Sequence, residues 1–460
     1  MEVIRLLAAF IVTTIAGWNL ACWIFGRDRS FSAAEKCAFS FITGLGLITV
    51  QMFFYSLMDI RFSIPVLLWP HMLLLAINSL FFRRVKATEA PFEKAGLKRF
   101  DMLLISGIAV QVFHAFFKAL IKPMDSFDSI GNFAFKSKLF FFNRYIPYEF
   151  FMDRSIDIQH PDYPLFIPLS ETWIYMFLRN WNDLLVKAIF PAFFVVMLVL
   201  FFFALKRIIG RRLSLVSTFF LATIPHFLNY ATIGYADFAL IMFYSMSFIY
   251  MFLWMVDDRK KIYLILSALL AVLALWTKQE AKMLTLINIF VLFLYLFIER
   301  ARLNRSDLRR AGYYTLVVLL CLAGWLGFMN SMGFENELAN ESSLTLQTVI
   351  SNLDRVPLIL YEYQKHIFGP KKWNLSLLVF FFGLIFYFRR AFTGEFKYIT
   401  IPILLAFAGY GACFIVTPLE IRYHLQTAGS RLLLHFLPVV VFWIGYLAKE
   451  ISSGESDIHR

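Results

Sequence analysis

Short polar clusters stand between long apolar runs in this chain, and their residue types suit acid–base and anion chemistry. Asp125 and Asp128 are spaced i, i+3 and precede the mixed segment Asn132-Phe133-Ala134-Phe135-Lys136-Ser137-Lys138. Carboxylates at that spacing either share one face of a helix or cap its start. On the functional reading one of them is a general base, its pKa raised by a low-dielectric boundary. His160-Pro161-Asp162-Tyr163-Pro164 follows. Its prolines fix a turn, which a plain anchor would also require. Tyr235-Ala236-Asp237, Lys278-Gln279-Glu280, Arg422-Tyr423-His424 and Arg431 with His435 stand at the ends of apolar segments. A charge at such a boundary is costly and marks a site by default, unless it is a long cation snorkelling to water. Arg431 and His435 are i, i+4 and share a helix face. His435 lies about one turn into its apolar segment, where a polar ring needs a partner.

These clusters need membrane helices to position them. Of 460 residues 60% are hydrophobic and only 16% charged, against about 25% in soluble domains. The 55 Phe suit helix surfaces packed against lipid. A net charge of +13 would fit nucleic acid. The Lys and Arg sit in short clusters between apolar runs, however, as in loops held on one side of a bilayer. Cys22, Cys37, Cys321 and Cys413 lie in or beside apolar segments without CxxC spacing and read as small apolar fillers.

A span needs about 20 mostly apolar residues. The candidates are Leu6–Phe25, Cys37–Met58, Ser63–Phe82, Met102–Ile121, Leu184–Leu205, Leu213–Tyr230 and Phe238–Val256, then Ile262–Trp276, Met283–Ile298, Tyr313–Met332, Leu375–Phe388, Ile399–Thr417 and Leu432–Ala448. Leu6–Phe25 lacks a cationic leader and reads as a first span, not a cleaved signal. Arg83, Arg84, Lys86, Lys94, Lys98 and Arg99 mark one loop as cytoplasmic, which also puts Arg27, Arg29 and Lys36 inside and the N-terminus outside. The clusters Lys206/Arg207/Arg211/Arg212, Arg259/Lys260/Lys261, Arg300/Arg302/Arg305/Arg309/Arg310 and Arg389/Arg390 are all inside only if the short apolar stretch Leu165–Leu178 does not cross. The expectation is an all-α polytopic membrane protein of about 13 transmembrane helices, with an in-plane or re-entrant helix after the first large outer loop. It is read as one domain, 1–460, multi-pass in the plasma (inner) membrane, with the C-terminus cytoplasmic. Three helices within 1–100 precede the outer loops 122–163 and 333–374.

The orientation rests on inner-loop charge alone. It nevertheless puts Asp125, Asp128, His160, Asp237, Lys278, Glu280, Arg422, His424 and Arg431 on the outer side. Carboxylates for proton transfer and cations for an anion are what handling a phosphate-linked group at the membrane surface requires.

In order and spacing, Asp125-Ser-Phe-Asp128 with Lys136-Ser-Lys138, His160-Pro-Asp-Tyr-Pro-Leu-Phe-Ile-Pro-Leu169, Gly234-Tyr-Ala-Asp237, Thr277-Lys-Gln-Glu280 and His424 with Arg431-Leu-Leu-Leu-His435 resemble the GT-C superfamily of polyprenyl-phosphate-sugar-dependent glycosyltransferases. The likeness is to the bacterial branch related to protein O-mannosyltransferases and lipid A aminoarabinose transferases. It implies inverting transfer of a sugar to a glycan, lipid or protein acceptor in a single displacement. An acid in the first outer loop would be the base, Asp128 with Asp125 close behind. Lys278, Arg422 and Arg431 would hold the donor phosphate, the leaving group. His160, Asp162, Tyr163, Tyr235, Asp237, Glu280, His424 and His435 would shape the sugar or acceptor pocket. The family's acidic pair is adjacent, whereas here the acids are three apart. The minimal plan places the acidic loop after the first helix, whereas here three further helices precede that helix-and-loop pair. Some members bind a divalent metal; no ligand cluster is evident here, and neither metal nor other cofactor is expected.

Two other readings use the same outer cations. A lipid-linked sugar transporter or flippase would also need charges deep in the helices, and Lys118, Lys187 and Lys282 lie near outer ends instead. A surface-polysaccharide polymerase or ligase would rely on outer Arg and His without an acidic base. The loop 333–374 carries Glu335, Glu337, Glu341, Asp354, Arg355, Lys365, His366, Lys371 and Lys372 in no assignable pattern.

Overall fold

The computed structural model describes residues 1–26, 28, 30–82, 96, 98–149, 160–333 and 345–458. Arg27, Arg29, Arg83, Arg84, Lys86, Lys94, Glu335, Glu337 and Glu341 lie outside the described residues. Among those described, every regular element is helical. A helix satisfies its backbone polar groups internally, which a hydrocarbon environment demands.

Each expected apolar segment folds as a helix, but not each as a separate long span. Among the described residues, eight helices are long and apolar enough to cross a membrane. The number is nine if the bent pair Ile421–Leu434 and Leu437–Ser452 counts as one. The protein is thus multi-pass. Three shorter apolar helices, Ile64–Ser79, Lys261–Leu275 and Ser376–Phe386, occupy positions expected to span. Leu184–Leu205 and Leu213–Tyr230 were expected as two spans. The stretch Ile189–Thr223 is indeed two helices, which meet at a kink at Gly210 where φ is 75° and ψ 169°. Glycine enters that region without a Cβ clash. The run stops before Pro225, which opens the short helix Pro225–Tyr230. Phe166–Leu178, the stretch expected not to cross, is a buried 13-residue helix. At about 20 Å it is shorter than the ~30 Å hydrocarbon core.

By internal packing the chain forms two compact units. The first comprises Met1–Gln159, Leu165–Phe203 and Ala231–Ala236. Its helices Glu2–Phe25 and Ala33–Leu57 cross backbone to backbone. A Cβ on Gly17 would fall 1.9 Å from the Ser40 carbonyl oxygen, and one on Gly44 would fall 1.9 Å from that of Thr13. Small residues permit such approach, and dispersion then holds the pair. Asn78 Nδ2 donates to Asn19 Oδ1 at 3.1 Å, and Asn19 Nδ2 to the His71 carbonyl at 3.0 Å, tying Ile64–Phe82 to the first helix. The same helix docks on Phe166–Leu178 through Trp173 Nε1 to Thr13 Oγ1 at 2.8 Å and Arg5 Nη1 to the Leu178 carbonyl at 3.0 Å. The N-terminal helices therefore brace the short helix Phe166–Leu178.

The second unit comprises His160–Pro164, Ala204–Tyr230 and Asp237–Arg460. Ala236–Val256 is its most buried span. Ser247 and Ser267 exchange hydroxyl-to-carbonyl bonds of 2.8 and 2.7 Å, joining it to Lys261–Leu275. Past Val256, Asp257 accepts from Lys260 Nζ at 2.9 Å and Tyr263 Oη at 2.7 Å. Arg259 pairs there with Asp307 at 3.2 Å, and Arg310 Nη1 donates to the Arg259 carbonyl. Asp237 begins the opposite end. One buried rod of about 30 Å thus separates the basic clusters from the candidate site.

Candidate functional site

Asp237 occupies the first turn of Ala236–Val256, where the helix dipole favours an anion. It is 1% exposed, and its Oδ1 gathers three partners. These are Lys278 Nζ at 2.9 Å, His435 Nε2 at 3.0 Å and Arg431 Nε at 3.3 Å. Lys278 comes from the turn between Lys261–Leu275 and Ala281–Ile298, and its ammonium also meets Glu280 Oε1 at 2.7 Å. Arg431 lies in the last turn of Ile421–Leu434, and His435 follows directly. The helix breaks there because Pro438 offers no N–H and restrains the residue before it. The chain bends 47° into Leu437–Ser452. The partner that a buried His435 required is thus Asp237, with Tyr410 Oη on Nδ1 at 2.7 Å.

The turn His160–Pro164 belongs to the same unit. Gln279 donates its side-chain amide to the Asp162 backbone carbonyl, and to Asp162 Oδ2 at 3.1 Å. His160 and Tyr163 stack with centroids 4.5 Å apart. Burial raises the Tyr163 phenol well above its ordinary value, and the charges of Glu280 and Arg431 act on it. His424 Nδ1 meets Thr417 Oγ1 at 2.8 Å. Arg422 does not join the cluster. It is exposed in the first turn of Ile421–Leu434, nine residues or about 13 Å of helix rise from Arg431.

The acidic pair lies in the first unit. Asp125 is exposed and bound by Lys122. The Lys122 hydrogen bond holds its carboxyl below the usual carboxylate range. For Asp125 the expected upward shift is therefore reversed, because an ammonium and open solvent outweigh what little burial it has. Asp128 is half-buried and leads a π-helical turn, Ser129–Ala134, without capping it through its side chain. That turn continues into Phe135–Asn143. Lys187 Nζ donates to the Lys122 carbonyl at 3.0 Å, fixing the start of the acidic segment. Gly234, at φ 86°, lets the backbone before half-buried Tyr235 lie against it: a Cβ there would be 3.1 Å from Ser129 Cβ. Lys136 is buried on Asn132 Oδ1 at 2.9 Å, and Lys138 pairs with Asp183 at 2.9 Å.

Among the described residues, no group of three or more His, Cys, Asp or Glu could hold a metal ion. Gln279, Tyr410 and Thr417 are part of the arrangement although sequence reasoning passed over them. Gln279 stood between two residues already chosen. Tyr410 sits inside an apolar span with no local signal.

Residues 164–328 match the model of the dolichyl-phosphate-mannose-protein mannosyltransferase family, which is of GT-C type. The matched stretch contains Asp237, Lys278 and Glu280, while the acidic pair, Arg431 and His435 lie beyond it. No curated protein matches the chain.

Proposed function

We propose that this protein is a membrane glycosyltransferase of GT-C type, moving a sugar from a polyprenyl-phosphate donor to an acceptor hydroxyl on the extracytoplasmic face. One observation carries the reading. The stretch similar to the mannosyltransferase family supplies Asp237, Lys278 and Glu280, and these three meet in one buried charge cluster completed by Arg431 and His435.

In the proposed step, Asp128 takes the acceptor's hydroxyl proton as its oxygen attacks the anomeric carbon. The bond from that carbon to the phosphate oxygen breaks on the opposite side, and polyprenyl phosphate leaves with the electron pair. A phosphate leaving group needs charge balance more than a proton, which Lys278 and Arg431 supply. Asp237 acts on both cations and is better read as their positioning residue than as a sugar contact. Glu280, His435, Asp162, His160, Tyr163, Tyr235 and His424 would bound the sugar and acceptor. Arg422, exposed and apart, has no part in the step. The basic clusters would face the cytoplasm and the N-terminus the outside.

The test is transfer by the purified protein from a panel of polyprenyl-phosphate sugars, read by mass spectrometry. A glycosylated product together with free polyprenyl phosphate is expected. No turnover with any donor, combined with passage of a labelled lipid-linked sugar across vesicle bilayers, would replace the reading with a transporter.

A further inference from the structure

Glu171 sits on Phe166–Leu178 with no exposed surface. Its Oε2 lies 2.5 Å from Ser137 Oγ, and that hydroxyl lies 2.7 Å from the Phe133 carbonyl oxygen. Ser137 has one hydrogen to donate, and a carbonyl oxygen has none. Each contact has its own hydrogen only when Glu171 carries a proton on Oε2, donates it to Ser137, and Ser137 donates to Phe133. Oε1 is buried with no hydrogen-bond partner. A neutral acid's carbonyl oxygen tolerates that far better than half of a carboxylate does.

The neighbouring charges are engaged elsewhere. Lys138 pairs with Asp183, which also accepts from Tyr175 and Trp181. Lys136 binds Asn132, and Lys187 binds the Lys122 carbonyl. On Glu2–Phe25, Glu2 accepts from Asn180 and Asn182, and Arg5 reaches the Leu178 carbonyl. On Ala33–Leu57, Glu35 closes a capping box with Ser32, and Lys36 donates to the Asp28 carbonyl.

We propose that Glu171 is held as the neutral carboxylic acid and that its proton pins Phe135–Asn143 to Phe166–Leu178. Glu171 is then a positioning residue for the Asp125–Asp128 segment, which runs directly into the pinned helix. The protonation stands on geometry alone, whereas the link to a base rests on the glycosyltransferase reading. Burial pushes this carboxyl from its ordinary 4.5 to about 8. The native state therefore holds one more proton than the unfolded chain between those values. The stability it contributes is fully present below 4.5 and is lost as pH rises through about 8.

The experiment pairs infrared difference spectroscopy with turnover, on the full chain in detergent. A protonated carboxylic acid C=O band should be present at pH 7, fade by pH 9, and be missing in Glu171→Gln. Gln reproduces the donor and the carbonyl, so E171Q should retain turnover and stay within about twofold of its pH 7 rate at pH 9, where the wild type falls at least fivefold. Glu171→Ala should lose at least tenfold at pH 7. A band unchanged by E171Q would overturn the protonation, and an E171Q pH profile equal to wild type would overturn the positioning role. A wild type with no transferase activity would remove the base from the proposal but leave the band and its titration as its test.

Discussion

One oxygen of Asp237 faces Lys278, Arg431 and His435. Removing one partner of a buried ion pair costs about 3–5 kcal/mol because the other charge is stranded. Asp237→Asn should therefore lower the thermal midpoint in detergent and weaken donor binding together, both measurable on one preparation. The acids of the first loop behave differently, since Asp125 is exposed and Asp128 only half-buried. Asp128→Asn should reduce turnover by about 10²- to 10⁴-fold with an unchanged melting midpoint. Asp125→Asn should do less, because Lys122 already holds that carboxyl in a weakly basic state. Unchanged turnover in both single variants and in the double variant would remove the base assignment. At this scale the sequence was readable where a charge interrupted an apolar run. Lys278, Asp237 and Arg431 announced themselves by their cost. Glu171 interrupts the apolar stretch Leu165–Leu178 in the same way, yet sequence reasoning passed over it. Tyr410 and Gln279 acquire meaning only from the residues that folding brings to them.

At the scale of elements, the crossing of Glu2–Phe25 and Ala33–Leu57 depends on two missing side chains. Gly44→Leu would put carbon where the Thr13 carbonyl oxygen already stands. Separating the helices should also loosen the Trp173–Thr13 bond to Phe166–Leu178. A lower melting midpoint and reduced yield are expected, with little change for Gly312→Leu, whose Cβ would meet open space. Apolar length made every expected helix legible. The breaks were less so. The break at Gly210 is the exception, because Lys206, Arg207, Arg211 and Arg212 flank it and mark the boundary between the two expected spans. Ile421–Leu434 escaped because Arg422, His424, Gln426, Thr427, Ser430 and Arg431 make it too polar for a hydropathy reading. Yet it presents Arg431 to Asp237.

For the whole molecule, the firmest sequence inference was that cationic loops and candidate site residues occupy opposite ends of the spans. The second unit bears this arrangement, with Asp237 at one end of Ala236–Val256 and Arg259, Lys260 and Arg310 gathered past the other. The division into two units was not legible, because it follows packing between distant segments and not a break in composition. A single cysteine introduced near Gly131 and another near Arg207 should be labelled from opposite sides of sealed vesicles. The four native cysteines are free and need only be removed first. Labelling of both from the same side would dismantle the proposed orientation. The Asp237 cluster also has a consequence for traffic through the site. Lys278 and Arg431 are matched by Asp237 and Glu280, so the resting site carries no surplus positive charge when His435 is neutral. A phosphate arriving there takes part in an exchange, displacing Glu280 from the Lys278 ammonium, and its departure is helped when that carboxylate returns. Glu280→Gln should bind polyprenyl phosphate more tightly in a direct binding assay, yet turn over more slowly, because the spent carrier would no longer be pushed out by the carboxylate whose place it had taken.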